Sequence, residues 1–294
     1  MKVTNSSLIN ANTAIRLTIA CPDRIGLVAT IGQLIANYQG NIIEANHHTD
    51  RAAGWFFMRH DICFPSQFTA LDQLTSELSH ISHALQLNWQ LIHPTQPKRV
   101  ILMVSRQSHC LEDILYRWRS KEINIEIPCI ISNHQDLAES AKWHNIPYYH
   151  LPIPKNNKSA AFKKLATIIN QHTPDLIVLA RYMQILPAFL CQQYPGRIIN
   201  IHHSFLPAFA GAKPYHQAFE RGVKLIGATC HYVNDQLDAG PIIEQDIARV
   251  NHCHSVFDMV RLGKDVEKNV LARGLRLHLE DRVFIHNNKT IIFN

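Results

Sequence analysis

Between Ala14 and Ile92 the apolar positions switch between a period of two and a period near 3.6. Ile15, Leu17 and Ile19 alternate with polar residues, the mark of a strand with one buried face. Cys21 to Gly26 reads as a turn, and Leu27, Ile31, Leu34 and Ile35 then recur at helical spacing up to Gly40. Asn41 to Glu44 opens a second strand and Trp55 to Ile62 makes a third. Leu71, Leu74, Leu78, Ile81 and Leu85 mark another helix, before a fourth strand over Leu87 to Ile92. The order β-α-β-β-α-β predicts a ferredoxin-like unit.

His93-Pro94-Thr95-Gln96-Pro97-Lys98 has two prolines and no apolar period, so it reads as a linker. Beyond it the pattern changes. Val100 to Val104 is a continuous apolar run, as expected at the centre of a parallel sheet. A helix carrying Leu111, Ile114, Leu115 and Trp118 follows. Then come a strand over Pro128 to Ser132, a helix over Leu137 to Trp143, a strand over Tyr148 to Leu151, a helix over Ala160 to Asn170 and a buried strand over Leu176 to Ala180. This alternation predicts a Rossmann-like, mostly parallel α/β sheet. Two further strands are expected at Ile198 to Ile201 and Leu225 to Val233, then a long helix from Ser255 and a closing hairpin around Asn287-Asn288. The chain divides into a disordered tail (1–13), a first domain (14–93), a linker (94–98) and a second domain (99–294).

With 294 residues, 46% hydrophobic and 18% charged, the chain has room for two proper cores. No apolar run approaches the roughly 18 residues that span a bilayer. The start lacks the basic-then-apolar order of a signal peptide, and seven scattered cysteines without a CxxC pair suit a reduced compartment. A cytoplasmic location is expected, with no membrane partner. The formal charge of +6 is dispersed, which speaks against nucleic acid and suits an anionic small molecule.

Candidate chemistry gathers at the ends of the two later strands. Asn200 carries an amide able to bond a developing oxyanion. His202 can exchange a proton near neutral pH, and Asp238, if it reaches His202, favours the imidazolium. Such a trio suits attack on a carbonyl without a covalent nucleophile. Taken singly, the same residues read as strand-end histidines and a turn cap. His202-His203 and His252-Cys253-His254 invite a metal reading. Neighbours on a strand point to opposite faces, however, so the first pair does not readily share an ion. No metal is expected.

Asn200-Ile201-His202, Ser204-Phe205-Leu206-Pro207 and Leu237-Asp238-Ala239-Gly240-Pro241 resemble the core signature of the folate-dependent formyltransferase superfamily. Ala210-Gly211-Ala212, Pro214-Tyr215 and Gly227-Ala228-Thr229 look more like its formyltetrahydrofolate deformylase branch. The resemblance implies catalytic roles for Asn200, His202 and Asp238 at a 10-formyltetrahydrofolate pocket. It implies substrate contacts from Met183, Gln184, Leu186, His231 and Val233, with Arg181 a weaker candidate. The folate is substrate, so no cofactor is expected.

Pro22-Asp23-Arg24-Ile25-Gly26-Leu27-Val28 resembles the start of an ACT domain. That resemblance implies an amino-acid effector facing Asp23, Gly26 and Asn41, and a homo-oligomer built partly through this domain. On the other reading, Gly26 only lets the helix approach the sheet. In relatives that formylate glycinamide ribonucleotide the first strand-to-helix turn is glycine-rich and binds the substrate phosphate. Here Ser105 to Cys110 has no glycine, and Arg106 and His109 would carry bulk into that place. Water is then the expected acceptor. The implied reaction is hydrolysis to tetrahydrofolate and formate, supplying purine synthesis. Formyl transfer to an amine, and a folate or amino-acid sensor without turnover, are the alternatives.

Overall fold

The computed structural model describes residues 14–65, 68–207 and 214–294. The expected tail at 1–13 and the fragment Ala210-Gly211-Ala212 lie outside them. The described chain forms two units. One holds the residues up to Gln96 with Glu280–Phe284 and Phe293–Asn294, and the other holds Pro97–Leu279 with Ile285–Ile292.

In the first unit β1 (Ala14–Pro22), α1 (Leu27–Asn37), β2 (Asn41–Asp50), β3 (Trp55–Cys63), α2 (Leu71–Leu85) and β4 (Asn88–Ile92) follow in order. They give an antiparallel sheet β2-β3-β1-β4. Register places Ile15, Leu17 and Ile19 opposite Ile62, His60 and Met58, and this face buries Leu27, Ile31, Ile35, Leu74 and Leu78 from the two helices. β2 is longer than its sequence suggests. Asn46-His47-His48 has little strand preference, but every position from Glu44 to Asp50 pairs with β3 past a bulge after Ile42. Gly26 sits at φ +89° and a Cβ there would meet nothing within 4 Å. Its purpose is the left-handed turn into α1, not close packing on the sheet.

The opposite face of this sheet carries charge. Arg16 Nε reaches Asp61 at 2.7 Å and its Nη1 reaches Asp281 at 2.9 Å. Arg59, fully buried, pairs with Asp61 and Glu44 at 3.2 Å and donates to the Glu280 carbonyl at 3.1 Å. Phe57 meets Phe284 edge-on, and Arg282 bonds Glu44. These contacts correct the expected division, which gave all of 99–294 to the second domain. Burying Arg16 and Arg59 requires carboxylates and carbonyls, and residues 280–284 supply part of that set. The boundary after the first domain falls between Gln96 and Pro97, and Lys98 already belongs to the next strand.

The second unit runs β5 (Lys98–Val104), α3 (His109–Arg119), β6 (Ile125–Glu126), β7 (Ile130–Ser132), α4 (Ala138–Trp143), β8 (Tyr148–His150), α5 (Lys158–His172), β9 (Leu176–Leu179), α6 (Ala188–Gln193), β10 (Ile198–His202), α7 (Pro214–Glu220), β11 (Leu225–Tyr232), β12 (Ile242–Arg249) and α8 (Val256–Leu279). Its strands order as β12-β11-β10-β9-β5-β7-β8, with β6 beside β5. Pairing is parallel from β8 to β10 and antiparallel from β10 to β12. Val100 to Val104 are wholly buried, as a strand covered on both faces requires. A closing hairpin, β13 (Val283–His286) and β14 (Lys289–Ile292), turns at Asn287-Asn288. Among the described residues no helix is long and apolar enough to cross a membrane.

Candidate active site

Strand geometry fixes the first part of the site. Asn200 and His202 stand two apart on β10, so both side chains leave the same face. On the neighbouring strand His231 lies directly opposite Asn200, and cross-strand partners share a face. The loop between β11 and β12 then folds back. Tyr232 N–H donates to the Pro241 carbonyl at 2.9 Å, and Asp238 takes a left-handed φ of +53°. Asp238 Oδ1 thereby comes to 3.3 Å from His202 Nδ1.

These contacts settle hydrogen-bond roles. His231 Nδ1 lies 2.8 Å from the Tyr232 carbonyl, which only accepts, so Nδ1 carries the proton. Burial lowers the His231 pKa, opposed in part by that bond and by Asp238. The ring is neutral, and its Nε2 accepts from Asn200 Nδ2 at 3.1 Å. This orients the Asn200 amide, whose second N–H meets no acceptor among the described residues. The 4.0 Å approach of His231 to Asp238 is too long for a hydrogen bond, and a neutral ring makes it no ion pair. The bond from His202 holds the Asp238 carboxyl below its usual range, against burial. His202 Nε2 is buried and makes no hydrogen bond among the described residues.

The trio opens on a cavity of about 240 Å³. Met183, Gln184, Leu186, His231 and Val233 all line it, as does Arg181. The loop after β9 is anchored from below: Met183 N–H donates to Ser105 Oγ at 3.0 Å, and that hydroxyl donates to Asn133 at 2.6 Å. Ile185, Gln236 and Leu237 also line the cavity. His203 lines it too, which corrects the opposite-faces expectation. The strand stops at His202, so alternation no longer applies one residue later. Burial, with help from Arg181, drives the His203 pKa down to about 3. Asp23 and Gly26 lie in the exposed turn before α1, and Asn41 at the exposed start of β2.

A second polar cluster was not foreseen. Glu267 on α8 is 1% exposed. It accepts from His109 Nε2 at 2.8 Å and from the Tyr215 hydroxyl at 2.6 Å, with Arg181 Nε at 3.3 Å. Burial raises the Glu267 pKa, but these partners outweigh it and the carboxyl stays below its ordinary value. The available signal was a lone acid on the buried stripe Met259, Gly263, Glu267, Val270, Gly274. Of the two bulky residues in the Ser105–Cys110 turn, His109 thus points inward onto Glu267, while Arg106 is exposed. His109, Cys110 and Glu267 offer three donor atoms within 4.8 Å. They do not suit a metal, because the carboxylate is already shared with a guanidinium and burial holds the Cys110 thiol protonated. In the sequence-flagged 252–254 stretch, Cys253 is exposed and His254 is bonded to Asn251.

Comparison with known proteins agrees with this architecture. Residues 98–275 match the Formyl transferase family and residues 15–78 the ACT domain family. A formyltetrahydrofolate deformylase of Synechocystis sp. is 49% identical over 96% of this chain and 99% of its own length. One from Corynebacterium sp. is 43% identical over 94% and 96%. The crystal structure of a formyltetrahydrofolate deformylase from Pseudomonas syringae pv. tomato superposes with a TM-score of 0.92 at 55% identity, covering 96% of this chain and 94% of that one. With an ACT domain ahead of a formyltransferase-type domain carrying Asn200, His202 and Asp238 at its cavity, the chain belongs to the formyltetrahydrofolate deformylase family.

Proposed function

We propose that this chain hydrolyses 10-formyltetrahydrofolate to tetrahydrofolate and formate. The observation that carries the reading is the convergence of the oriented Asn200 amide, the unbonded His202 Nε2 and the Asp238 carboxylate at one end of an apolar-walled cavity. Water attacks the formyl carbon and gives one proton to the His202–Asp238 pair. Asp238 holds that water or His202, and its negative charge offsets the charge of a protonated ring. As the tetrahedral intermediate forms, the formyl oxygen becomes an oxyanion and accepts from the free Asn200 N–H and from His202 Nε2–H. Collapse breaks the carbon–nitrogen bond, the folate nitrogen takes that proton through solvent from the pair, and formic acid leaves as formate with its own proton lost to solvent. Met183, Gln184, Leu186 and Val233 hold the folate.

The ACT half is read as the regulatory and assembly domain of a homo-oligomer, with Asp23, Gly26 and Asn41 facing an amino-acid effector. The working compartment is read as the cytoplasm. The test is formate release from 10-formyltetrahydrofolate by purified protein without added amine, with and without methionine or glycine. Release in buffer alone supports water as the acceptor, and a change with an amino acid supports the effector role. Release only with an amine acceptor would replace hydrolysis by formyl transfer.

A further inference from the structure

The residue with the most exacting task, Asp238, sits on a loop with little behind it among the described residues. Its φ of +53° is a conformation that a side-chain-bearing residue keeps only where its surroundings impose it. On one side the loop rests on β11, so closely that a Cβ on Gly240 would lie 1.8 Å from the Tyr232 carbonyl oxygen. On the other side, among the described residues, there is a hollow of about 470 Å³ bordered by Pro207, Asp238, Ala239 and Lys289. Among the described residues, packing does not hold the loop there. Two hydrogen bonds do. Asn288 Nδ2 donates to the Ala239 carbonyl at 2.9 Å, and the Thr290 hydroxyl donates to the Ile242 carbonyl at 2.6 Å. Both donors come from the tip of the β13–β14 hairpin, and the two carbonyls bracket the Gly240-Pro241 turn that follows Asp238.

We propose that Asn288 and Thr290 are positioning residues that clamp the Asp238 loop and so set the His202–Asp238 contact. The inference rests on the proposed reaction. Neither side chain touches the cavity that holds the substrate, so its effect reaches catalysis only through the placement of Asp238. Displacement of a reacting group by about 1 Å costs up to roughly a hundredfold in rate.

The test is the double variant Asn288→Ala/Thr290→Val of the full chain, assayed for formate release across pH beside the wild type and Thr290→Ser. The clamp predicts a ten- to hundredfold fall in kcat with KM within about a factor of two. The acidic limb of the kcat profile should also move to higher pH, because an Asp238 drawn away from His202 loses the bond that holds its pKa down. Thr290→Ser, which keeps the hydroxyl, should stay close to wild type. A double variant with wild-type kcat and an unmoved acidic limb overturns the clamp. So does a fall in kcat that Thr290→Ser shares in full. If the wild type itself releases no formate, the hydrolytic reading fails and the clamp fails with it.

Discussion

Two carboxylates in the second unit, the half-buried Asp238 and the fully buried Glu267, each lie beside a histidine, yet their surroundings differ. Glu267 is shared three ways: a hydroxyl, an imidazole and a guanidinium converge on it in the interior. Asp238 has one strong partner, His202, whose far nitrogen is unbonded and borders the cavity. A carboxylate shared by three partners holds four chain segments together. A carboxylate whose partner keeps a free nitrogen can pass charge to something that arrives. A nearby histidine does not separate the two roles; the number of partners on the carboxylate does.

Removing each charge in turn should pull the pair apart. Asp238→Asn is expected to lower kcat on the order of 10³–10⁴-fold, as neutralising the acid behind a catalytic histidine does elsewhere. Folate binding, followed by fluorescence titration, should persist. Near-normal turnover would end its catalytic assignment. Glu267→Gln should act on stability instead. It leaves Arg181 and His109 facing no charge, and breaking a buried pair costs about 3–5 kcal/mol, read as a lower urea midpoint. A Glu267→Gln protein as stable as wild type would mean the cluster is not structural. Asn200→Ala removes a single oxyanion donor and should cost about 10²–10³ in kcat, with an unfolding midpoint close to wild type.

The smallest effect concerns pH. His203 is held down to about 3 and, in the first unit, His60 to about 4, against an ordinary 6.5. Between those values and 6.5 the unfolded chain binds more protons than the folded one. Stability is therefore full above pH 6.5 and falls as pH drops through that window. Urea midpoints measured at pH 5 and 7 should show the loss, and His203→Gln should reduce it. An unchanged acid slope in that variant would place the proton uptake elsewhere.

Much of this was legible in the chain. The apolar run Val100–Val104 reports a strand buried on both faces without reference to anything distant. Asn200 and His202 share a face because period two is a property of β10 alone. Asp238 was readable as a carboxylate past a strand end, but its contact with His202 was not, since a left-handed turn residue that bends back onto β10 has no periodic mark. The partners of Glu267 lie 158 and 52 residues away, and side-chain contacts at such separations leave no local pattern. The strand β12 was missed because Glu244, Gln245 and Asp246 interrupt its alternation, although pairing with β11 fixes it. The assignment of residues 280–284 to the first unit was invisible for the same reason: Arg16 does not announce that its partner is Asp281.

That pairing also bears on how the protein is made. A ribosome delivers Arg16 and Arg59 long before Glu280 and Asp281, and the separations are 265 and 221 residues. Throughout that interval the nascent first sheet can pair its strands and bury its helices, but the charged face lacks part of its counter-charge. Completion of the earliest-born domain waits for some of the latest-born residues. Contacts of such long separation are slow to form. A ribosome stalled before residue 280 would therefore hold a first domain with a solvated, exchange-prone face, and release would be the step that closes it.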